Sequence, residues 1–259
     1  MADYLEGLTV QQVAGWYRRL ANLIGAKKVK DVDGTDRVPL SALLLGHYLD
    51  NRDPKRTFSF DPPLYLRQMS QVQAVLAYHR SVFLSEKKTP SGGIGGIAPR
   101  LRGDAPYKKW QPPEPLFLYL ESLVQTASGI MDIVRIEATG SAQERDIFTS
   151  LDGFQLRSEV WAAGAGYPDP HHLNVTFSGW YAMCRDRYDW DFSKHLTLPN
   201  PDYQSKAADA VRTTDQTLTV YHKNAQRLEV AKLAAPFDVA SNKWSVTDKS
   251  VTGPASVAF

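Results

Sequence analysis

The chain of 259 residues carries 30 basic and 28 acidic side chains in no block of like charge, for a formal net charge of +2. This argues against a nucleic-acid binder, which concentrates Lys and Arg on one face. With 43% hydrophobic and 22% charged residues, the chain can bury the core of one large domain or two small ones, and wholesale disorder is excluded.

Met1 to Glu6 has neither a basic flank nor an apolar run, so no cleavable signal peptide is expected. No apolar stretch approaches the roughly 18 residues of a membrane span, and no transmembrane segment is expected. Val10, Val13, Trp16, Tyr17, Leu20, Leu23 and Ile24 follow a 3.6-residue period, with Thr9 as a cap and Gly25 as a stop. Ala42 to Leu49 reads as a short apolar helix. Leu64 to Leu84 reads as a longer one behind Pro62-Pro63, with Tyr65, Met69, Val72, Leu76, His79 and Phe83 in one stripe. His79 reads there as a satisfied core histidine.

Residues 89–115 are rich in glycine and proline and read as a linker. Their glycines lack the Gly-Lys-Ser/Thr ending of a phosphate loop. Leu116 to Val124 is ambiguous between strand and helix. Ile130, Val134, Ile136 and Ala138 lie in a β-like stretch. Phe154, Leu156, Ser158 and Val160 alternate with polar residues, as do Leu173, Val175 and Phe177. Gly164 to Pro170 supplies the turn of an antiparallel pair. Thr217 to Tyr221 reads as another strand and Asn224 to Leu233 as a short helix. The lone cysteine, Cys184, excludes an internal disulfide and a multi-cysteine zinc site, and reads as a small apolar strand residue.

The second strand of that pair runs into Arg185-Asp186-Arg187-Tyr188-Asp189-Trp190-Asp191-Phe192-Ser193-Lys194-His195. A period of two puts Asp186 and Tyr188 on one face, and the following turn can return Asp189 and His195 to the same mouth. Two carboxylates can hold a hard cation such as magnesium, which offsets phosphate charge. Histidine can act as acid or base, tyrosine can donate to a phosphate oxygen, and Arg185, Arg187 and Lys194 can bind an anionic substrate. The plain alternative is a structural turn with a capping Asp and packed aromatics.

Asp186, Tyr188, Asp189 and, after five further residues, His195 resemble the active-site signature of the colicin M family: Asp-x-Tyr-Asp, then five residues, then His-Arg. Leu173 to Gly179 is similar to that family's lead-in strand. The specific match covers about ten residues and the looser one about seventy. The resemblance departs at Leu196, where the family has arginine; Arg185, Arg187 or Arg212 are the candidate replacements, or activity is altered or absent. A tail of sixty-four residues follows His195, opening with Leu198-Pro199-Asn200-Pro201-Asp202-Tyr203, a proline-rich loop or a wall of the site.

The resemblance implies an antibacterial toxin hydrolysing the peptidoglycan precursor lipid II between undecaprenyl lipid and pyrophosphate, in the periplasm of a target bacterium, with magnesium. It implies Asp186 and Asp189 as catalytic or metal-linked, His195 as acid/base, and Tyr188 as phosphate orienter. Trp180, Tyr181, Trp190 and Phe192 are available to a polyprenyl chain, although core packing is the plainer duty for most of them. It also implies a cognate immunity protein and delivery from the producing cytoplasm by secretion or import machinery. Glu6 to Val10 faintly resembles an importer-binding box, whereas contact-dependent injection, as in type VI secretion, needs none. The expected fold is α+β: a helical region 1–88, the linker 89–115, and an antiparallel sheet-rich, half-barrel-like catalytic domain 116–259. The contrasting expectation is a glycan- or protein-binding module using His171-His172 and surface aromatics, or an inactive relative. His171, His172 and His222 make a poor metal set, since adjacent strand histidines point to opposite faces.

Overall fold

The computed structural model describes residues 3–84, 96–98, 110–112, 114–125, 141–190 and 195–258. The first helix, α1 (Val10–Ala26), starts as its sequence dictates. The Thr9 hydroxyl accepts from the Gln12 amide and the Gln12 side chain returns to the Thr9 amide, a capping box. The helix runs through Gly25 to Ala26 and buries Val13, Trp16, Tyr17 and Leu20. A short antiparallel pair, β1 (Val29–Lys30) and β2 (Asp36–Arg37), precedes α2 (Leu40–Asp50). Next comes β3 (Thr57–Phe60).

The expected long helix from Leu64 is two helices, α3 (Leu64–Arg67) and α4 (Ser70–Leu84). The break falls at Gln68-Met69, where the Arg67 carbonyl accepts from the Gln73 side chain at 2.6 Å. The apolar stripe survives it, with Tyr65, Val72, Leu76, His79 and Phe83 buried. His79 lies in the core as expected, but among the described residues only its Nδ1 is satisfied, by Ser158 Oγ.

The ambiguous segment is a strand, β4 (Leu116–Gln125), paired antiparallel along its length with β5 (Gly153–Asp169). Helix α5 (Ala142–Leu151), capped by Ser141 and Glu144, precedes β5 and had no counterpart in the periodicity reading. The β-like stretch from Ile130 to Ala138 lies outside the described residues. β5 pairs antiparallel with β6 (His172–Tyr188). Phe154, Leu156, Ser158 and Val160 face inward from β5, and Leu173, Val175 and Cys184 from β6. The reversal is tighter than Gly164 to Pro170. β5 continues to Asp169, opposite His172, and the glycines are absorbed as register shifts within the ladder.

β7 (His195–Pro199) and β8 (Thr217–Tyr221) form a separate antiparallel pair, followed by α6 (His222–Val230) and β9 (Phe237–Ser241). After it come β10 (Trp244–Ser245), α7 (Lys249–Thr252) and β11 (Ala255–Ala258). β10 and β11 both pair antiparallel with β6. The main sheet has the order β3-β9-β6-β5-β4, with β10 and β11 added on β6. The fold is α+β, with N-terminal helices ahead of a largely antiparallel sheet region.

The chain divides into two compact units, each made of three segments. The first comprises Met1–Ser59, Ala127–Asp152 and Asp186–Val239; the second comprises Phe60–Thr126, Gly153–Arg185 and Ala240–Phe259. Both draw residues from before and after position 115, whereas the expected division 1–88, 89–115, 116–259 is sequential. The first unit has an aromatic core of Trp16, Tyr17, Tyr48, Tyr188, Trp190 and Phe237. In it, Asn200 and Asp202 anchor the proline-containing turn. The Asn200 amide donates to the carbonyls of Val211, Arg212 and Asp215, and Asp202 accepts Arg19 Nε at 2.6 Å. The second unit packs Leu76, Phe83, Leu118, Leu156, Leu173 and Trp180. Among the described residues, no helix is long and apolar enough to cross a membrane.

Candidate functional site

The end of β6 carries the signature segment. The pleat alternates its side chains: Arg185 and Arg187 are exposed, Asp186 is half-buried and Tyr188 is buried. The two arginines therefore project to the face opposite Asp186. Arg187 is already engaged, donating to Asp238 Oδ1 at 2.8 Å. Arg185 lies opposite Gln155 in the β5–β6 ladder. Lys194 and Phe192 lie outside the described residues. Arg212 pairs with Asp215 at 3.1 Å and covers the Tyr4 ring at 4.3 Å.

Burial pushes the Asp186 carboxyl up to about 7. The Arg187 backbone amide works against this, and the neighbouring Asp189 and Asp152 carboxylates add to the rise. Asp152 is the residue after α5 and adopts φ of 50°, in the left-handed region. A fourth carboxylate joins from α6. Burial raises Glu229, the hydrogen bond from Tyr48 opposes that, and Asp189 raises it further. The Tyr48 hydroxyl donates to Glu229 Oε1 at 2.8 Å. Asp152, Asp186, Asp189 and Glu229 are thus electrostatically coupled around the end of β6.

Tyr188 is placed otherwise than a phosphate orienter requires. Its ring stacks on Phe237 at 5.2 Å and 20°, and meets Tyr48 at 5.8 Å and Trp190 edge-on at 6.1 Å. Burial raises its pKa well above the usual phenol range. Trp190 continues the cluster with Tyr17 and Tyr48, and its ring edge meets His222 at 4.8 Å. Trp180 is also buried, whereas Tyr181 is exposed.

His195 is exposed at the start of β7, opposite Tyr221, with ring centroids 5.3 Å apart. Tyr221 and His222 are consecutive, so Trp190 and His195 bracket one junction, that between β8 and α6. The two halves of the signature return to neighbouring residues there, although no residue between them is described. Leu196, half-buried, pairs with Val220 in the ladder.

Among the described residues, no three His, Cys, Asp or Glu side chains stand together at metal-ligand spacing. His172 bonds through Nδ1 to the Asp169 carboxylate at 2.8 Å, while His222 packs against Trp190. Sequence reasoning missed Asp152 and Glu229. Asp152-Gly153 carried only a turn signal, and Glu229 was one exposed-looking acid on a predicted helix.

No family model, curated protein or solved structure matches the chain.

Proposed function

We propose that the chain is an antibacterial hydrolase of the colicin M type that cleaves lipid II at the undecaprenyl–pyrophosphate linkage, in the periplasm of a target cell, with the end of β6 as its chemical centre. The observation that carries this reading is the Asp186 carboxyl, poised near neutrality beside Asp189. Hydrolysis needs one group to take a proton from water and another to give one to the departing oxygen. A group titrating near the working pH does either with least penalty. Without a bound cation Asp186 can exchange a proton near pH 7; with one bound it is a carboxylate ligand, and proton transfer falls to other groups. His195, exposed at the start of β7, is the candidate acid or base.

The carboxylates present suit a magnesium ion. They are hard oxygen donors, and a cation would relieve the repulsion that Asp189 and Asp152 exert on Asp186. Asp186 and Asp189 would hold it, with water and substrate phosphate completing the shell. When bound, the ion would offset charge building on the pyrophosphate. An immunity protein and a delivery system follow from the same reading.

The test is incubation of the purified chain with lipid II and magnesium, resolving undecaprenol by chromatography. Release lost in Asp186→Ala and Asp189→Ala supports the reading; no release, or equal release by both variants, sinks it.

A second reading, a non-catalytic binding module, is favoured by the burial of Tyr188 and the exposure of His195 on a separate two-stranded sheet. Periplasmic expression separates the two: a hydrolase lyses the host unless Asp189 is replaced, and a binding module does not.

A further inference from the structure

The second unit holds a pocket of about 280 Å³ on the outer face of its sheet, lined by Phe117, Glu159, Trp161, Gly179, Tyr181 and Lys243. These residues come from β4, β5, β6 and the turn before β10. Trp161 and Tyr181 are 46% and 42% exposed, which is unusual for large aromatic rings on one patch. Phe117 supports Trp161 from the neighbouring strand, at 5.2 Å and 53°.

The backbone is shaped to hold these rings apart. The β5–β6 register shifts by one residue between Glu159 and Trp161, a β-bulge in which Gly179-Trp180 of β6 stand opposite Val160 alone. Gly179 adopts φ of 57°, and a Cβ there would stand 3.3 Å from Tyr181 Cε2 and 3.7 Å from Trp161 Cδ1. The glycine is therefore the floor between two rings, and its missing side chain leaves the space open.

One wall is polar and ordered. Glu159, its side chain only 14% exposed, pairs electrostatically with Arg157, whose Nε lies 2.8 Å from one carboxylate oxygen, and accepts a hydrogen bond from the Lys243 ammonium on the other. Arg157 is itself held over the Tyr119 ring at 4.6 Å. Burial would raise the Glu159 carboxyl, but the hydrogen bonds and charges of Lys243 and Arg157 outweigh it and hold the pKa below its ordinary value.

We infer that this pocket binds a neutral saccharide, seated with the C–H face of a pyranose ring on Trp161 and Tyr181 and its hydroxyls on Glu159 and Lys243. A sugar ring has one apolar face and a polar edge, which is what rings beside a fixed carboxylate–ammonium pair accommodate. A free anion would meet the Glu159 carboxylate. A free cation would meet Lys243 and Arg157. The volume suits no more than one or two rings, too little for the interface of a stable protein partner. The inference rests on the second unit alone and does not need the Asp186 chemistry.

The experiment titrates the full chain with the N-acetylglucosamine trimer and, separately, with cellotriose, reading tryptophan fluorescence and calorimetric heat. The other five tryptophans are buried, so Trp161 dominates any change on ligand contact. Saturable binding of either sugar in the micromolar-to-millimolar range is expected, lost in Trp161→Ala and in Tyr181→Ala, kept in Trp161→Phe, and weakened about tenfold in Glu159→Gln. Circular dichroism certifies each variant as folded, and two independent ring deletions guard against one failing to fold. Asp189→Ala, in the first unit, should bind as the parent does, so failure of the hydrolytic reading leaves this result intact. Absence of binding of both sugars at millimolar concentration, or binding unchanged by both ring deletions, overturns the inference. So does sedimentation showing that Trp161 closes a dimer of this chain.

Discussion

Ser41 gives the Asp146 carboxylate two hydrogen bonds, from its amide at 2.9 Å and its hydroxyl at 2.7 Å, both to Oδ1. The amide of Leu40 takes the other oxygen at 2.8 Å. Helix α2 begins after Pro39, which has no side chain to cap with, so a carboxylate on α5 fills that place. The pair is buried, and an acid at a helix N-terminus also meets the positive end of the dipole. Asp146→Ala should therefore lower stability by about 1–3 kcal/mol, read from urea unfolding. Asp146→Asn should recover only part of this, because its amide nitrogen cannot accept. An unchanged midpoint in Asp146→Ala would show that the cap is dispensable.

Asp186 and His79 should impose opposite pH dependences. The folded-state pKa of Asp186, about 7, lies above its ordinary 3.8. Between those values the folded chain binds more proton than the unfolded one, so stability falls as pH rises from about 4 to about 7. His79 is the reverse. Burial lowers it from 6.5 to about 4, so the unfolded chain binds more proton and stability falls as pH drops through that window. Over the shared range the two slopes largely cancel, and the parent should show a flat profile. Asp186→Asn should uncover acid destabilisation and gain on the order of 2 kcal/mol above pH 7. The measurement is urea unfolding at half-unit pH steps; parallel profiles for parent and variant would refute this.

His79 also has a structural partner. Its Nδ1 lies 2.7 Å from Ser158 Oγ, both fully buried, while its Nε2 has no hydrogen-bond partner among the described residues. His79→Leu alone leaves the Ser158 hydroxyl unpaired and should cost about 1–3 kcal/mol. Adding Ser158→Ala should return part of that loss, because the second polar group is then gone too. A double-mutant cycle reads the coupling, and strict additivity would argue against the bond.

At the proposed site, Tyr188 and Asp189 should part company. Tyr188→Phe keeps the stack on Phe237 and removes only a buried hydroxyl, so lipid II turnover should stay within about tenfold of the parent. Asp189→Ala should cost about a hundredfold or more, as loss of a group that touches the reacting centre does. The comparison is made on initial rates of undecaprenol release, and equal losses would return Tyr188 to the chemistry.

What sequence made legible was whatever local patterning controls. The Thr9 cap, the Val72–Phe83 stripe and the inward alternation of Phe154 to Val160 are set by neighbours three, four or two positions away. The same reasoning put Asp186 and Tyr188 on one face of a strand, and the alternation of burial agrees. It could not say which face is core, and Tyr188 turned out to belong to the aromatic cluster. Asp152 and Glu229 were illegible because their relation to Asp189 and Asp186 is made by folding across many residues. The cap of α2 by Asp146 was hidden for the same reason. The break at Gln68-Met69 escaped because the apolar stripe continues across it, while a side-chain hydrogen bond from Gln73 decides the backbone.

The division into two three-segment units has a consequence for how the chain comes into being. The N-terminal helices of the first unit await partners from beyond residue 186, and β6 awaits β11, which ends at Ala258. The first unit cannot close before its segment Asp186–Val239 has been made, nor the second before its segment Ala240–Phe259. Rings such as Trp16, Tyr48 and Phe83 must then stay in water until those later segments have been made, the condition under which nascent chains aggregate or engage chaperones. Cutting at residue 115 would free no working half, only two sets of orphaned faces.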